Sequence, residues 1–235
     1  MTINFLARGD RGDDAEDAPD VPSFLTSAKK GFDSKCHFFD DTDPTEGQNG
    51  AAGGNATNGD EGSPGEQGGI IIIEVDEYKG GIEADCTGGC GGKGGDGGDG
   101  GRGQDGGDGG WGANCEANAH GGKGGNGGNG GNGGNGREGG DGGSFRLFYK
   151  QDLSGGKPPI WHLEGGLGGS PGRGGEGGDP GSVGKTGRGL NSDYTHSGFK
   201  PGFPPRPAIA GTPGDVGRMG NRGKEGIWDV GQLPP

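Results

Sequence analysis

Residues 88–114 read GGC GGK GGD GGD GGR GQD GGD GGW GAN, and residues 121–144 read GGK GGN GGN GGN GGN GRE GGD GGS. The repeat is three residues long, which matches neither the 3.6-residue turn of an α-helix nor the two-residue alternation of a strand. Three is the period of polyproline II geometry, with a rise of roughly 3.1 Å per residue. On such a path Gly88, Gly91 and Gly94 share one face, and Gly89, Gly92, Gly95 and Gly98 share a second, interrupted only at Gln104 and Ala113. The third face takes every long side chain: Cys90, Lys93, Asp96, Asp99, Arg102, Asp105, Asp108 and Trp111. Two bare faces invite close approach of other backbones.

Outward from this stretch, single-glycine triplets run over 47–69, 169–189 and 211–228. Ile70–Tyr78 (IIIIEVDEY) breaks the period with β-branched residues and reads as a strand. Phe145–Lys150 (FRLFYK) is its expected counterpart, with Phe145, Leu147 and Tyr149 on one side. Pro159–Glu164 (PIWHLE) predicts a third short strand with Trp161 in a core. A hairpin of the two central runs, turning at Cys115–His120, would bring the first two strands to one end as an antiparallel pair. The expected fold is therefore irregular and all-β-like: a bundle of polyglycine II helices with a small antiparallel β element and almost no α-helix. Residues 1–46 form an acidic N-terminal segment with an unstructured-looking Asp13–Asp20. Residues 47–189 make the glycine-rich bundle, and 190–235 supply a Pro-containing connection and the last run.

Composition limits the function classes. The chain has 69 glycines and 15 prolines in 235 residues, is 24% hydrophobic and carries a net charge of −13. That balance argues against nonspecific binding to nucleic acid or to anionic membranes. No apolar run approaches the 18 or so residues of a membrane span, and the start MTINFLARGDRGDD lacks the pattern of a signal peptide. An extracellular or virion-associated setting is weakly favoured over a cytoplasmic one. Proline is too sparse for a collagen over the whole chain, although part of the sequence is collagen-like.

These runs, roughly half the chain, resemble those of polyglycine II bundle proteins. That group includes the receptor-binding adhesins of phage tail fibres and glycine-rich insect antifreeze proteins. The resemblance implies a rigid body with receptor-binding loops at its tip, here the turns Cys115–His120 and Leu190–Ala210. Candidate binding-loop residues are Trp111, Asn114, His120, Tyr194 and His196.

Other motifs yield to the triplet frame. Asp179–Thr186 (DPGSVGKT) looks like a phosphate-binding loop, but it has Asp where the first Gly belongs and lacks the flanking strand and helix. Arg8-Gly9-Asp10 and Arg11-Gly12-Asp13 spell an integrin-binding tripeptide, equally explained by Gly-X-Y spacing. The row Asp96, Asp99, Asp105 and Asp108 reads as a solvated acidic stripe ahead of a divalent-ion ladder. Cys86-x3-Cys90 and Cys115-x4-His120 resemble zinc-ligand spacing. On a straight path, however, Cys90 and Cys115 stand about 78 Å apart. The cysteines Cys36, Cys86, Cys90 and Cys115 are disulfide candidates, with Cys36 linked to Cys86 or Cys90, or with all thiols free. The scattered histidines His37, His120, His162 and His196 offer no nucleophile–base spacing, so neither an enzyme nor a cofactor is expected. The expected function is a non-enzymatic structural and binding protein that displays loops to a cell-surface receptor or glycan. A self-assembling collagen-like trimer or filament is the alternative, and ice binding comes third.

Overall fold

The structure is a computed structural model that describes residues 3–37, 41–113, 116–189 and 205–234. Its regular elements are six strands: β1 (Ile3–Leu6), β2 (Ile70–Tyr78), β3 (Ile82–Asp85), β4 (Ser144–Asp152), β5 (Ile160–His162) and β6 (Ile227–Gln232). They form two three-stranded sheets, β1-β3-β5 and β2-β4-β6, and every pairing in both is parallel. The fold is thus strand-based. It corrects the expected bundle of polyglycine II helices with an antiparallel β element, for no helix occurs among the described residues and β2 pairs with β4 in parallel, Ile71 opposite Phe145.

The reason for the changed direction is one reversal that the sequence reading passed over. Between β2 and β3 lie Lys79, Gly80 and Gly81, and both glycines adopt positive φ, 79° and 76°. Side chains avoid that region, so paired glycines here turn the chain. The turn places β3 in the other sheet, and β2 and β4 then both run outward from the glycine-rich body. Gly155 and Gly156 (φ 66° and 84°) make the equivalent reversal between β4 and β5.

The glycine-rich runs extend from these strands as long segments in two layers. Segments 3–34, 82–113 and 160–189 form one layer, and 45–78, 116–152 and 205–232 form the other. Within a layer neighbours are parallel: Gly12, Ala15 and Ala18 donate to the carbonyls of Cys90, Lys93 and Asp96. Between layers they are antiparallel: Gly128, Gly131 and Gly134 donate to Gly101, Gly98 and Gly95. The two double-glycine runs lie in the middle of their layers. Asp13–Asp20, read from the sequence as unstructured, is bonded along its length to the segment carrying Lys93–Asp99.

Backbone accounting explains the third residue of each triplet. Gly97 donates to Arg173 within its layer at 2.8 Å and Gly98 donates across layers to Thr57 at 3.2 Å. Asp99 N–H points outward, where no backbone lies, and donates to the side chain Oδ1 of Asp20 at 2.9 Å. In the other layer Gly130 and Gly131 donate to Thr212 and Gly98, and Asn132 N–H donates to Asn58 Oδ1 at 2.8 Å. Aspartate and asparagine therefore supply the acceptor that the lattice of backbones lacks, and all three N–H groups of the triplet are paired. Asp14, Asp17 and Asp20 serve one layer in this way, and Asn126, Asn129, Asn132 and Asn135 the other.

The main hydrophobic cluster sits at one end, between the two sheets. Ile71, Phe145 and Leu147 from one sheet meet Ile82, Ala84, Cys86 and Leu163 from the other side. Phe145, Trp161 and Trp228 stack in series with ring centroids 5.9 and 4.7 Å apart. Trp161 thus packs on the core as its sequence context predicts. Each fully buried Phe or Leu contributes about 1.5–3 kcal/mol, so this cap anchors one end of a body otherwise held by hydrogen bonds.

Candidate functional site

The end opposite the sheets is where the segments 3–34, 82–113 and 160–189 finish, and there Trp111 stands half exposed, at 52%. It occupies the outward triplet position, so its backbone needs an outward acceptor. Asp33 supplies this, accepting Trp111 N–H on Oδ1 at 2.8 Å, while Ser34 N–H donates to the Trp111 carbonyl at 2.8 Å. Lys30 lies three residues before Asp33, on the same outward row. Its Nζ donates to Asp33 Oδ1 at 2.6 Å and sits 4.6 Å from the centre of the indole, a cation–π distance. The Lys30 ammonium and the Trp111 N–H hold the Asp33 carboxyl below the ordinary carboxylate range, so it is ionised at neutral pH.

Beside the indole opens a cleft of about 390 Å³ lined by Asp33, Ser34, Trp111, Ala113, Arg188 and the backbone of Gly112 and Gly189. Asn118 fixes its floor, since its Oδ1 accepts Gly112 N–H at 2.8 Å and Gly189 N–H at 2.6 Å. No Cβ fits at Gly189, where it would meet the Gly112 carbonyl oxygen. Ser34 Oγ is buried and has no hydrogen-bond partner among the described residues. Arg188 is exposed and makes no ion pair among the described residues. The cleft thus joins an aromatic face to a guanidinium without an ion-pair partner among the described residues.

Of the sequence-predicted binding residues, Trp111 lines the cleft. His120 lies near this end outside the lining, with Nδ1 3.3 Å from Thr186 Oγ1. Asn114, Tyr194 and His196 lie outside the described residues, as does Cys115. Sequence reasoning missed Lys30, Asp33, Ser34, Asn118 and Arg188. The spacing Lys30-x2-Asp33 was the available signal, but a one-residue slip in the triplet register near Thr26 hides its alignment with Trp111: Phe24 donates to Arg102 yet Ala28 donates to Asp105.

The remaining cysteines and acidic rows have structural work. Cys36 is disulfide-bonded, whereas Cys86 and Cys90 are free, so the pairings of Cys36 with Cys86 or Cys90 are not formed. Burial raises the pKa of the Cys86 thiol, which sits in the core 3.6 Å from the Ser144 carbonyl. Asp96, Asp99, Asp105 and Asp108 each accept a backbone N–H, from Arg173, Glu176, Ser182 and Lys185. Among the described residues no group of three or more His, Cys, Asp or Glu side chains could hold a metal ion. Nor is any helix among them long and apolar enough to cross a membrane.

No protein-family model matches the chain, and no curated protein matches it. A solved structure that it resembles is a springtail antifreeze protein from Granisotoma rainieri, described as a bundle of nine polyproline type II helices whose crystal waters match the ice lattice. The two are 28% identical over 71% of this chain and 98% of that one, with a TM-score of 0.13. Spatial agreement that low leaves the geometry above to be argued from this chain alone.

Proposed function

We propose that this chain is a non-enzymatic structural and binding protein whose glycine-rich body holds the Trp111 cleft rigidly at one end for a glycan of a cell-surface receptor. The observation that carries the reading is the half-exposed indole beside an exposed guanidinium that has no ion-pair partner among the described residues, both lining one cleft. A sugar ring offers an apolar C–H face to an aromatic ring and hydroxyls to polar groups around it. Such a site needs few polar groups on a fixed frame, and Asp33 and Asn118 fix the cleft backbone by accepting the N–H groups of Trp111, Gly112 and Gly189. The carboxylate in the lining, Asp33, is engaged by Lys30 and by Trp111 N–H, which leaves it poorly placed to act as a general base.

Growth into a filament by adding segments at the open edge has less support. The outward rows of the last segments mix Leu167, Arg173, Lys185, Arg218 and Lys224 with Glu176, Asp179, Asp215 and Asn221, and so offer fewer Asp and Asn acceptors than the rows of the central runs. Pro171, Pro180 and Pro213 also stand where an N–H would reach an added segment.

Binding to a panel of immobilised glycans, followed by calorimetry on the best ligand, tests the reading. Trp111→Ala should weaken binding about tenfold or more without lowering the melting temperature. A panel with no ligand, or unchanged binding by the variant, refutes it.

A further inference from the structure

We infer that the cleft selects a carboxylated sugar, a uronic or sialic acid unit, over a neutral one. The inference rests on the glycan reading and specifies its ligand class. Its basis is the exposed guanidinium of Arg188, which lines the cleft in a chain whose net charge is −13. The outward rows around the indole hold Lys30, Asp33, Asp108, Lys185 and Arg188. Asp33 is matched by Lys30 at 2.6 Å, and Asp108 Oδ1 accepts the backbone N–H of Lys185 at 2.8 Å. Arg188 remains, lining the cleft with no carboxylate partner among the described residues. Arginines on the outward rows differ: Arg102 pairs with Asp105 at 2.6 Å and Arg11 with Asp14 at 2.6 Å, each three residues on, whereas Arg173 and Arg218, like Arg188, make no ion pair among the described residues. Three residues after Arg188 the sequence has Asn191.

A guanidinium forms two parallel hydrogen bonds to a carboxylate, a geometry that neutral hydroxyls do not match. A ring stacked on the face of Trp111 opposite Lys30 would place its carboxylate toward Arg188. A neutral sugar uses the indole but leaves the guanidinium unanswered.

The test is calorimetric titration of the full chain with a linear tri-uronate and with the same trisaccharide after reduction of its carboxyls. The expected result is about tenfold tighter binding of the acid form, a preference that shrinks as salt rises. Arg188→Gln should bring the two affinities together, with the acid form losing the more. Equal affinities for the two sugars, each lost in Trp111→Ala, overturn the charge selection and leave the glycan site standing. A preference that survives in Arg188→Gln overturns the assignment of the carboxylate to that residue. Failure of both sugars to bind overturns the selection together with the glycan reading beneath it.

Discussion

Gly128→Ala and Gly54→Ala look alike in sequence, since each replaces a glycine of a triplet run by the smallest side chain, yet they should differ sharply in stability. A Cβ on Gly128 would lie 1.9 Å from the Gly54 carbonyl oxygen and 2.5 Å from its carbon. Relief to an ordinary contact of about 3.4 Å requires the backbones to part by more than an ångström. That carbonyl also accepts Gly101 N–H at 2.9 Å, and Gly128 N–H donates to the Gly101 carbonyl at 2.9 Å, so separation strains both bonds. Leaving two or three buried backbone groups badly paired costs about 1–3 kcal/mol each, offset by about 0.4–1 kcal/mol because alanine restricts the unfolded chain. The net expectation for Gly128→Ala is a loss of about 3 kcal/mol, or about 6–12 °C in melting temperature for a chain of this size. A Cβ on Gly54 would meet only Val21 Cγ1 at 2.9 Å, the end of a side chain that can rotate. Gly54→Ala should therefore stay within about 0.5 kcal/mol of the wild type. Urea unfolding followed by circular dichroism measures both. Equal stabilities of the two variants would refute the close-approach account, as would a Gly128→Ala protein as stable as the wild type.

Two further outcomes follow from the acceptor role of the outward row. Asn132→Ala removes the Oδ1 that accepts Asp215 N–H at 2.8 Å and should cost about 1 kcal/mol, while Asn132→Asp, which keeps the acceptor, should be milder; equal losses from both would sink the assignment. Acid should weaken the body. The Asp14, Asp96 and Asp105 carboxyls lie below their ordinary value of 3.8, chiefly because they accept backbone N–H groups of Lys93, Arg173 and Ser182. A group with a lowered folded pKa stabilises fully above its unfolded value, and that contribution is lost as pH falls through the folded value. The urea midpoint should accordingly drop as the pH falls below the ordinary carboxylate value of 3.8, with a shallower drop in Asp96→Asn; a midpoint independent of pH in acid would count against the mechanism.

The strands richest in β-branched and aromatic residues were legible in the chain. Ile70–Tyr78 is the strand its composition predicts, and Ile160–His162 falls inside the predicted Pro159–Glu164. Phe145–Lys150 is extended by a residue or two at each end. Short strands such as Ile3–Leu6 and Ile82–Asp85 were not, because four residues bear too little alternation to stand out from their surroundings. The cleft was half legible: Trp111 interrupts the Asp and Lys row by its size alone. Arg188 and Ser34 reach it only through register between segments more than seventy residues apart in sequence.

By itself the sequence determined the spacing of the body, because a glycine at every third residue is a local property that survives any arrangement of the runs. It also determined that two faces of the central runs are bare and one is not. Direction, layer order and hydrogen-bond partners were decided only by the tertiary structure. The reversal at Gly80–Gly81 sets β2 and β4 parallel where the runs alone implied an antiparallel pair, and a local pattern does not record how often the chain has turned. The aspartates and asparagines show the same division. Their period belongs to the sequence, but their role as acceptors exists only once a neighbouring N–H stands within 3 Å, as Asp99 N–H does at Asp20.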